Sequence, residues 1–422
     1  MKSHLRKLKQ VMNVLHITYM DSHGAGLAVL RIHHALQAAG VNSRILVAEK
    51  QSGLDDVSLV EGGVINTTHL SSNGAIRLVQ RILRRAGILQ TEKERLERKA
   101  GKINSDLQLT YTSPLSSFDV AEHPWIGWAD IIHLHWVANF VNYPTFFKKV
   151  SKPVVWTFHD ENPGLGGFHY RRDKERYYDD FRQIEDRYLR IKSEALAGKN
   201  IHLVALSREM KQYAQSAQLL NSFPVTVINN SVDTEIFVPG DKNALRKSLG
   251  IPPENRVLAF CCVQLRDPRK GLKELQAAVK ELPHKDMTIL CIGDASGFEP
   301  DPDLHFVLAG AIRNERLLAA LLSVSDLFVM PSYQEAFAQT PLEAMACGVP
   351  VVAFPCSGTA ELINAKNGIR CDSFTIDSLR KGLMEALSTK FDPSAVREDV
   401  KERFSPGKIA SRYMELYESI LG

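Results

Sequence analysis

The stretch that decides the fold is residues 330–354, MPSYQEAFAQTPLEAMACGVPVVAF. It begins where one apolar segment, 327–330, ends, and it finishes inside another. Between them, Thr340 and Glu343 have the spacing of a capping box, with Pro341 at the first helical position. The pattern predicts a strand, a loop, a helix beginning at Thr340 and a second strand, which is the repeating unit of parallel sheets.

Two acidic residues flank the predicted start of this helix. Glu335 lies on the loop and Glu343 in the first turn, with seven residues between them. A helix N-terminus at the carboxyl end of a parallel strand offers N–H groups and a positive dipole end, which suit a pyrophosphate. A carboxylate on that loop adds little to packing, so we interpret Glu335 as functional. For Glu343, closing the capping box is the alternative.

Apolar runs of strand length recur along the whole chain and alternate with helical or loop segments, which predicts parallel sheets covered by helices, an α/β fold. The predicted strands are 11–19, 43–48, 131–136, 153–158, 202–206 and 225–228 in the first half, and 256–263, 287–292, 305–308, 327–330 and 350–354 in the second. A polar, turn-rich stretch follows residue 228 and predicts a hinge near 235. We therefore predict domains 12–235 and 236–405, with a C-terminal helix within 406–422.

Composition narrows the class of protein. The 422 residues, 44% hydrophobic and 24% charged, suit two or three ordinary globular domains. All six cysteines lie in the second half without a C-x-x-C pair, as expected of buried thiols in a reducing cytoplasm. The basic start of the chain does not resemble a signal peptide, and nothing approaches the roughly 20 apolar residues of a spanning helix.

One segment has a distinct charge pattern. Residues 76–102 contain nine Lys/Arg against three Glu, a local charge of +6. In 76–89 the arginines are interleaved with aliphatic residues, as in an amphipathic helix that lies on anionic lipid. A solvated helix that covers the first domain is the alternative. No nucleic-acid-binding module accompanies the basic run, so we expect no nucleic acid partner.

Several segments together resemble a known family. Residues 331–354 look like the signature of family 4 retaining glycosyltransferases of the GT-B fold. Residues 269–272, RKGL, resemble the basic K-G element of that family, and 227–233 resemble its hinge. Residues 153–160 and 166–170 are similar to a bacterial branch that serves surface-polysaccharide assembly.

The resemblance implies roles for residues at matching positions. Glu335 would contact hydroxyls of the donor sugar, and Glu343 would hold the ribose of the nucleotide. Lys270 and one arginine would neutralise the departing diphosphate. The usual arginine position is not matched, so the arginine is either Arg266 or Arg269, and we favour Arg266. The remaining donor-binding residues implied are Phe337, Ala338, Gln339, Thr340 and Gly293.

Two elements of the first domain complete the expected site. His159, at the end of a buried strand, matches a family histidine close to the transferred sugar, with a purely structural histidine as the alternative. The glycine loop Gly24-Ala25-Gly26 matches one near the phosphates and the acceptor, although a glycine turn before a helix is also ordinary turn chemistry.

Two short motifs suggest a metal, but we predict none. His133 and His135 would lie on one face of a strand, yet the sequence offers no evident third ligand. Asp301 and Asp303 have the D-x-D form of metal-dependent transferases but lie in a proline-rich loop. In the GT-B resemblance, cations and helix dipoles handle the diphosphate, so no metal and no cofactor are expected.

The resemblance implies two Rossmann-like domains that face a central cleft, and transfer of a sugar with retention of configuration from a nucleotide-diphosphate sugar to a glycan or lipid-linked saccharide. The expected location is the cytoplasm, with peripheral contact to the inner face of the cytoplasmic membrane through 76–89. One alternative is a nucleotide-sugar epimerase of the same fold. Another is a catalytically silent binding subunit, since Ala338 and 263–265 depart from the family pattern.

Overall fold

The computed structural model describes residues 11–62, 98, 101, 109–283 and 286–422. The predicted membrane-binding segment, 76–102, lies outside the described residues except for Arg98 and Gly101, so it stays a prediction. Within the described part of the chain, no helix combines the length and the apolar character needed to cross a bilayer.

The chain divides into two compact units. The first contains residues 1–205, 210–226 and 414–422, and the second contains 206–209 and 227–413. The chain thus leaves the first unit at 226, before the predicted boundary at 235. The last helix, Pro406–Leu421, contributes its first half to the second unit and its last turns to the first.

The first unit is built on a seven-stranded sheet in which the strands run parallel. The strands are β1 (Asn13–Ile17), β2 (Asn42–Val47), β3 (Val57–Leu59), β4 (Ile131–Leu134), β5 (Val154–Thr157), β6 (Ile201–Ala205) and β7 (Val225–Val227). The described helices of this half of the chain are α1 (His23–Ala38), α2 (Pro124–Trp128), α3 (Tyr143–Lys149), α4 (Arg171–Leu196) and α5 (Arg208–Ser216).

The second unit is built on a six-stranded sheet, also parallel. The strands are β8 (Arg256–Gln264), β9 (Met287–Asp294), β10 (His305–Gly310), β11 (Leu327–Met330), β12 (Val351–Ala353) and β13 (Gly368–Arg370). The described helices are α6 (Lys242–Ser248), α7 (Leu272–Lys280), α8 (Glu315–Ser323), α9 (Gln339–Ala346), α10 (Thr359–Leu362), α11 (Ile376–Ser388), α12 (Pro393–Phe404) and α13 (Pro406–Leu421).

Both sheets reverse their strand order once. The order is β3-β2-β1-β4-β5-β6-β7 in the first sheet and β10-β9-β8-β11-β12-β13 in the second. The connections therefore diverge at β1/β4 and at β8/β11, and the loops that follow these strands leave a crevice at their carboxyl ends. This is where open parallel sheets bind ligands.

The second sheet is apolar on both faces. Alternate residues of its strands enter two separate hydrophobic clusters: Val257, Ala259 and Phe328 pack in one, and Leu258 and Val329 in the other. Side chains alternate between the faces of a strand, so covering both faces with helices requires a continuous apolar run. This explains why these strands read as unbroken apolar segments in the sequence.

The predicted α/β fold is confirmed, with element ends shifted by a few residues. The sequence did not predict β3 or β13, each three residues long and placed at or near a sheet edge. So short a strand carries almost no periodicity from which to recognise it.

Asp326 connects the strands of the second sheet to α6. Its carboxylate accepts hydrogen bonds from Lys242 Nζ, Arg246 Nη2 and the Val257 amide, each at 2.7 Å. Burial by itself would raise the pKa of this carboxyl, but these hydrogen bonds and the Lys242 charge hold the pKa below its ordinary value. Asp326 therefore stabilises the fold in its charged form.

Replacement of Asp326 by asparagine should lower the free energy of unfolding by about 3 kcal/mol at neutral pH, because two cations lose a shielded partner. Because the folded pKa is lowered, the difference between the two proteins should be present above about pH 4 and shrink as the pH falls below it. Urea unfolding at several pH values measures this. Asp377→Asn, which breaks exposed pairs with Arg380 and Lys381, is the matched control and should leave the midpoint almost unchanged.

Candidate functional site

The reversal of strand order in the second sheet brings Lys270 and Glu335 together. Lys270 ends a short 3-10 turn, Pro268–Lys270, after β8, and Glu335 lies on the loop after β11. Lys270 Nζ donates to Glu335 Oε1 at 2.5 Å, and the two side chains are 28% and 16% exposed. The two residues that the sequence assigned to the reaction are thus an ion pair that is partly shielded from water.

Close backbone contact fixes the turn that carries Lys270. Gly271 has φ +76°, and a Cβ atom there would lie 2.1 Å from the Pro331 carbonyl oxygen. The Tyr333 amide donates to the Arg269 carbonyl oxygen at 2.9 Å, which closes the contact between the turn and the loop. Only glycine fits at 271, both in conformation and in space.

Gly293, predicted to bind the donor, lies near the carboxyl end of β9. Its φ is +149°, and a Cβ atom would lie 2.1 Å from the Cys262 carbonyl oxygen on β8. The glycine therefore lets the ends of two neighbouring strands approach beside the Lys270 turn. The structure gives this residue a packing role, and its contact with a donor stays a prediction.

The two candidate arginines differ in their surroundings. Arg269 forms a two-point contact with Asp267, with Nη2–Oδ2 at 2.8 Å and Nε–Oδ1 at 3.2 Å. Arg266 is exposed and makes no hydrogen bond within the described part of the chain; its charge lies near Asp294. Arg266 can therefore approach an anion without leaving a carboxylate partner.

The predicted capping box is wrong. Helix α9 begins at Gln339, not at Thr340, and its N-cap is Ala338, which makes no side-chain cap. Thr340 and Pro341 already lie in the first turn, where proline is tolerated because those N–H groups lack helical partners. An N-terminus without a side-chain cap suits an anionic ligand better than the capped one that the sequence suggested.

Glu343 lies one turn into α9 and is 4% exposed. Burial raises the pKa of the Cys261 thiol, and the charge of Glu343 raises it further, which places this carboxylate beside β8. Phe337 and Ala338 are also buried, whereas Gln339 and Thr340 are half-buried. The donor-binding residues predicted on this segment therefore lie around the start of α9, and most of them are buried.

Sequence reasoning missed the loop after β12. Ser357 Oγ donates to the Glu335 carbonyl oxygen at 2.5 Å. A Cβ atom on Gly358 would lie 2.7 Å from Phe337 Cα, so this loop packs directly on the loop that carries Glu335. The sequence signal that could have identified this loop is the pair Ser357-Gly358, which follows β12.

Gly24, Ala25 and Gly26 do not form the predicted loop. Helix α1 begins at His23, whose φ is +57°, so all three residues lie in its first turns. A Cβ atom on Gly26 would lie 2.6 Å from the Met20 carbonyl oxygen, so this glycine lets the helix pack on the segment that leaves β1.

His159 follows β5 and is half-buried. Its Nε2 lies 3.1 Å from His135 Nδ1, and burial lowers its pKa to about 4, so the ring is neutral at neutral pH. Within the first unit it lines a small cavity with Trp136, Asp160 and Asn162. Asp160 is itself held by His169 Nδ1 at 2.5 Å and by Trp136 Nε1 at 2.7 Å.

The expectation that His133 and His135 lack a third histidine is wrong. His16 on β1 lies beside both, and one nitrogen from each ring lies within 4.8 Å of the others. Five of the six ring nitrogens are nonetheless engaged, and only His16 Nε2 has no hydrogen-bond partner within the described residues. His133 contacts Thr157 Oγ1 and the Tyr417 hydroxyl, each at 2.7 Å. The remaining contacts of the cluster join His135 to His16 and to His159. A metal ion would have to displace these contacts.

A lysine forms ion pairs with both acids of the D-x-D motif. Lys280 Nζ lies 2.9 Å from carboxylate oxygens of both Asp301 and Asp303. These acids therefore form an exposed ion-pair cluster rather than a site that is open to a ligand.

The chain thus consists of two doubly wound parallel sheets, a class of α/β protein that binds ligands at the carboxyl ends of its strands. The second sheet has a cation–carboxylate pair and a helix without a side-chain cap at its switch point. Comparison with known proteins identifies the family. A family model described as "Glycosyl transferases group 1" matches residues 255–389, and one described as "Glycosyltransferase Family 4" matches 109–236. The chain belongs to the family 4 glycosyltransferases of the GT-B fold.

Curated relatives match part of the chain. D-inositol 3-phosphate glycosyltransferase 2 of Catenulispora acidiphila is 33% identical over 157 residues, 33% of this chain and 36% of that protein. D-inositol 3-phosphate glycosyltransferase of Segniliparus rotundus is 33% identical over 164 residues, 36% of each protein. The match thus spans about a third of these relatives, so it does not transfer their substrates.

Solved structures share the fold over nearly the whole chain. Sucrose-phosphate synthase from Thermosynechococcus elongatus is 18% identical, with a TM-score of 0.64 over 97% of this chain and 99% of that one. HepE from Anabaena, solved with UDP and glucose, is 17% identical, with a TM-score of 0.62 over 97% of this chain and 100% of that one. At these identities the likeness establishes the fold alone.

Replacement of Gly271 by alanine should destabilise the second unit for two reasons. The left-handed backbone would be strained, and overlap of the new Cβ with Pro331 should cost about 2 kcal/mol or more in addition. Gly310→Ala is the matched control. It has a similar φ, +73°, but nothing lies within 4 Å of its Cβ position, so only the conformational cost of about 1 kcal/mol applies. Urea unfolding of both variants measures the difference, and equal losses would contradict the proposed contact.

Proposed function

We propose that the protein is a retaining glycosyltransferase that moves a sugar from a nucleotide-diphosphate sugar to a glycan or lipid-linked saccharide, in polysaccharide or glycoconjugate synthesis. The observation that carries the proposal is the Lys270–Glu335 pair, which lies at the switch point of the second sheet beside the N-terminus of α9. A cation and helix amides suit a diphosphate, and a carboxylate suits sugar hydroxyls.

In this proposal the donor binds to the second unit. Lys270 and Arg266 neutralise the diphosphate, and Glu343 holds the ribose. Residues 337–340, together with Gly293, contact the donor. Structures of Anabaena HepE contain UDP and UDP-glucose, which supports a nucleotide-sugar donor for this fold.

The chemistry needs no metal and no separate protein base. The bond between the anomeric carbon and the diphosphate oxygen breaks, and a bond to the acceptor oxygen forms on the same face. The proton of the acceptor hydroxyl passes to an oxygen of the leaving diphosphate. Lys270 and Arg266 stabilise the negative charge that grows on that group, which is the part a metal ion plays in other transferases.

The first unit supplies the acceptor side in this proposal. His159 lies next to the transferred sugar, and the start of α1 at Gly24–Gly26 lies near the phosphates and the acceptor. We further propose a cytoplasmic location with peripheral binding to anionic lipid through 76–89, which suits an acceptor carried on a lipid.

A panel of UDP, GDP and ADP sugars should identify the donor. The matching donor should raise the melting temperature of the protein, because a ligand that binds only the folded state stabilises it by mass action. Differential scanning fluorimetry measures the shift, and free sugars are the control. If no nucleotide sugar stabilises the protein, the donor site is wrongly assigned; an epimer formed without acceptor would instead identify an epimerase.

Replacement of Glu335 by glutamine should lower the transfer rate roughly hundredfold or more, the usual cost of one lost electrostatic contact in a transition state. Nucleotide diphosphate binding should not weaken, since Lys270 keeps its charge. Transfer is measured with the matching donor, and nucleotide binding by calorimetry. Glu281→Gln, at an exposed glutamate near Arg380, is the control and should retain full activity. Full activity in the Glu335 variant would refute the assigned role, and binding without turnover in the wild type would indicate a silent subunit.

A further inference from the structure

Three histidine rings of the first unit form a continuous chain of hydrogen bonds that ends at His159. His16 Nδ1 lies 2.9 Å from His135 Nε2, and His135 Nδ1 lies 3.1 Å from His159 Nε2. The three residues come from the carboxyl halves or ends of β1, β4 and β5, so the chain crosses three strands of the sheet. Sequence spacing gives no sign of it, because His16 and His135 are 119 positions apart.

Each ring in the chain is neutral at neutral pH. Burial lowers the pKa of His16 and His135 well below the ordinary value, and neighbouring histidines lower it further. The pKa of His159 is about 4, again because of burial. A neutral imidazole carries one proton, so one nitrogen of each ring donates and the other accepts.

Because each ring has one proton, only two arrangements of the protons are possible along the three hydrogen-bonded histidines. In the first, His16 Nδ1–H donates to His135, whose Nδ1–H donates to His159 Nε2; His159 then carries its proton on Nδ1. In the second, every proton lies on Nε2, the bonds run the other way, and His159 Nδ1 has a lone pair. The tautomer of His159 is therefore tied to that of His16 through His135.

The surroundings of His16, the buried end of the hydrogen-bonded histidines, favour one arrangement of the protons. His16 Nε2 is buried without a hydrogen-bond partner in the described part of the chain. In the second arrangement this atom would be a buried N–H donor without an acceptor, whereas in the first it is a bare lone pair. Among buried backbone groups, unpaired N–H donors are rarer than under-satisfied acceptors, and we apply the same preference to the ring nitrogen. The first arrangement is therefore the more stable.

We propose that His135, supported by His16, is a positioning residue that holds His159 in the tautomer with its proton on Nδ1. His159 Nδ1 has no hydrogen-bond partner within the described residues, so its N–H is available as a donor. That this donor meets an oxygen of the bound sugar rests on the proposed function. The tautomer itself does not, since it follows from the contacts of the protein alone.

NMR of the full chain labelled with ¹⁵N-histidine tests the tautomer without any substrate. His159→Gln identifies the two ring signals of His159 by their loss. We expect Nδ1 to show the shift of a protonated nitrogen and Nε2 that of a bare nitrogen. A proton on Nε2, averaged shifts of both nitrogens, or shifts that change when a metal is removed by a chelator would each overturn the proposal. Failure of this test leaves the transfer reaction untouched, and failure to find transfer leaves the tautomer assignment untouched.

Two buried variants separate positioning from stability. In His135→Phe, His159 loses the partner of its Nε2, so its signals should move to those of a tautomer mixture, and kcat should fall about tenfold with little change in KM for the donor. His33→Phe is the matched control: His33 is equally buried and its ring lies 6.4 Å from that of His16, but its nitrogens contact Ser43 and Asp56 and not the histidine chain. It should leave the His159 signals unchanged. Unchanged His159 signals in His135→Phe would overturn the proposal.

Discussion

The site depends on one constraint: in a parallel sheet all strands end at the same edge, and the loops part only where the strand order reverses. In the second sheet this happens between β8 and β11, and the ion pair between Lys270 and Glu335 forms there. In the first sheet it happens between β1 and β4, beside which His16 and His135 meet. One topological rule therefore locates both groups of polar side chains.

Backbone packing then determines how closely these side chains approach. Gly271, Gly293 and Gly358 each lie where a Cβ atom would overlap a neighbouring main chain or its carbonyl oxygen. The loops after β8, β11 and β12 are consequently packed against one another, and this packing holds Lys270 and Glu335 at hydrogen-bond distance.

Sequence analysis predicted the α/β fold and the loop that carries Glu335, because long buried strands are apolar runs and their ends are marked by polar loops. Lys270 was assigned from the resemblance of residues 269–272 to a family element. Sequence analysis failed where local patterns are ambiguous. Pro341 marked a helix start, but proline is allowed throughout the first turn, so α9 begins two residues earlier than its proline suggests. It also missed contacts between distant segments: His16 with His135, and Ser357 with the loop of Glu335, because neither sequence spacing nor composition records them.

The Lys270–Glu335 pair of the second unit and the three histidines of the first unit differ in charge. This difference suits the nucleotide sugar of the proposed function. In the second unit a lysine and a carboxylate form an ion pair that remains partly exposed. In the first unit, burial removes the charge from His16, His135 and His159, which leaves donors and acceptors without net charge. Neutral imidazoles suit sugar hydroxyls, because each ring offers one donor and one acceptor. In the proposed reaction, the fold thus keeps the attraction for negative charge in the second unit and leaves orientation of the sugar to hydrogen bonds whose direction the histidine chain sets.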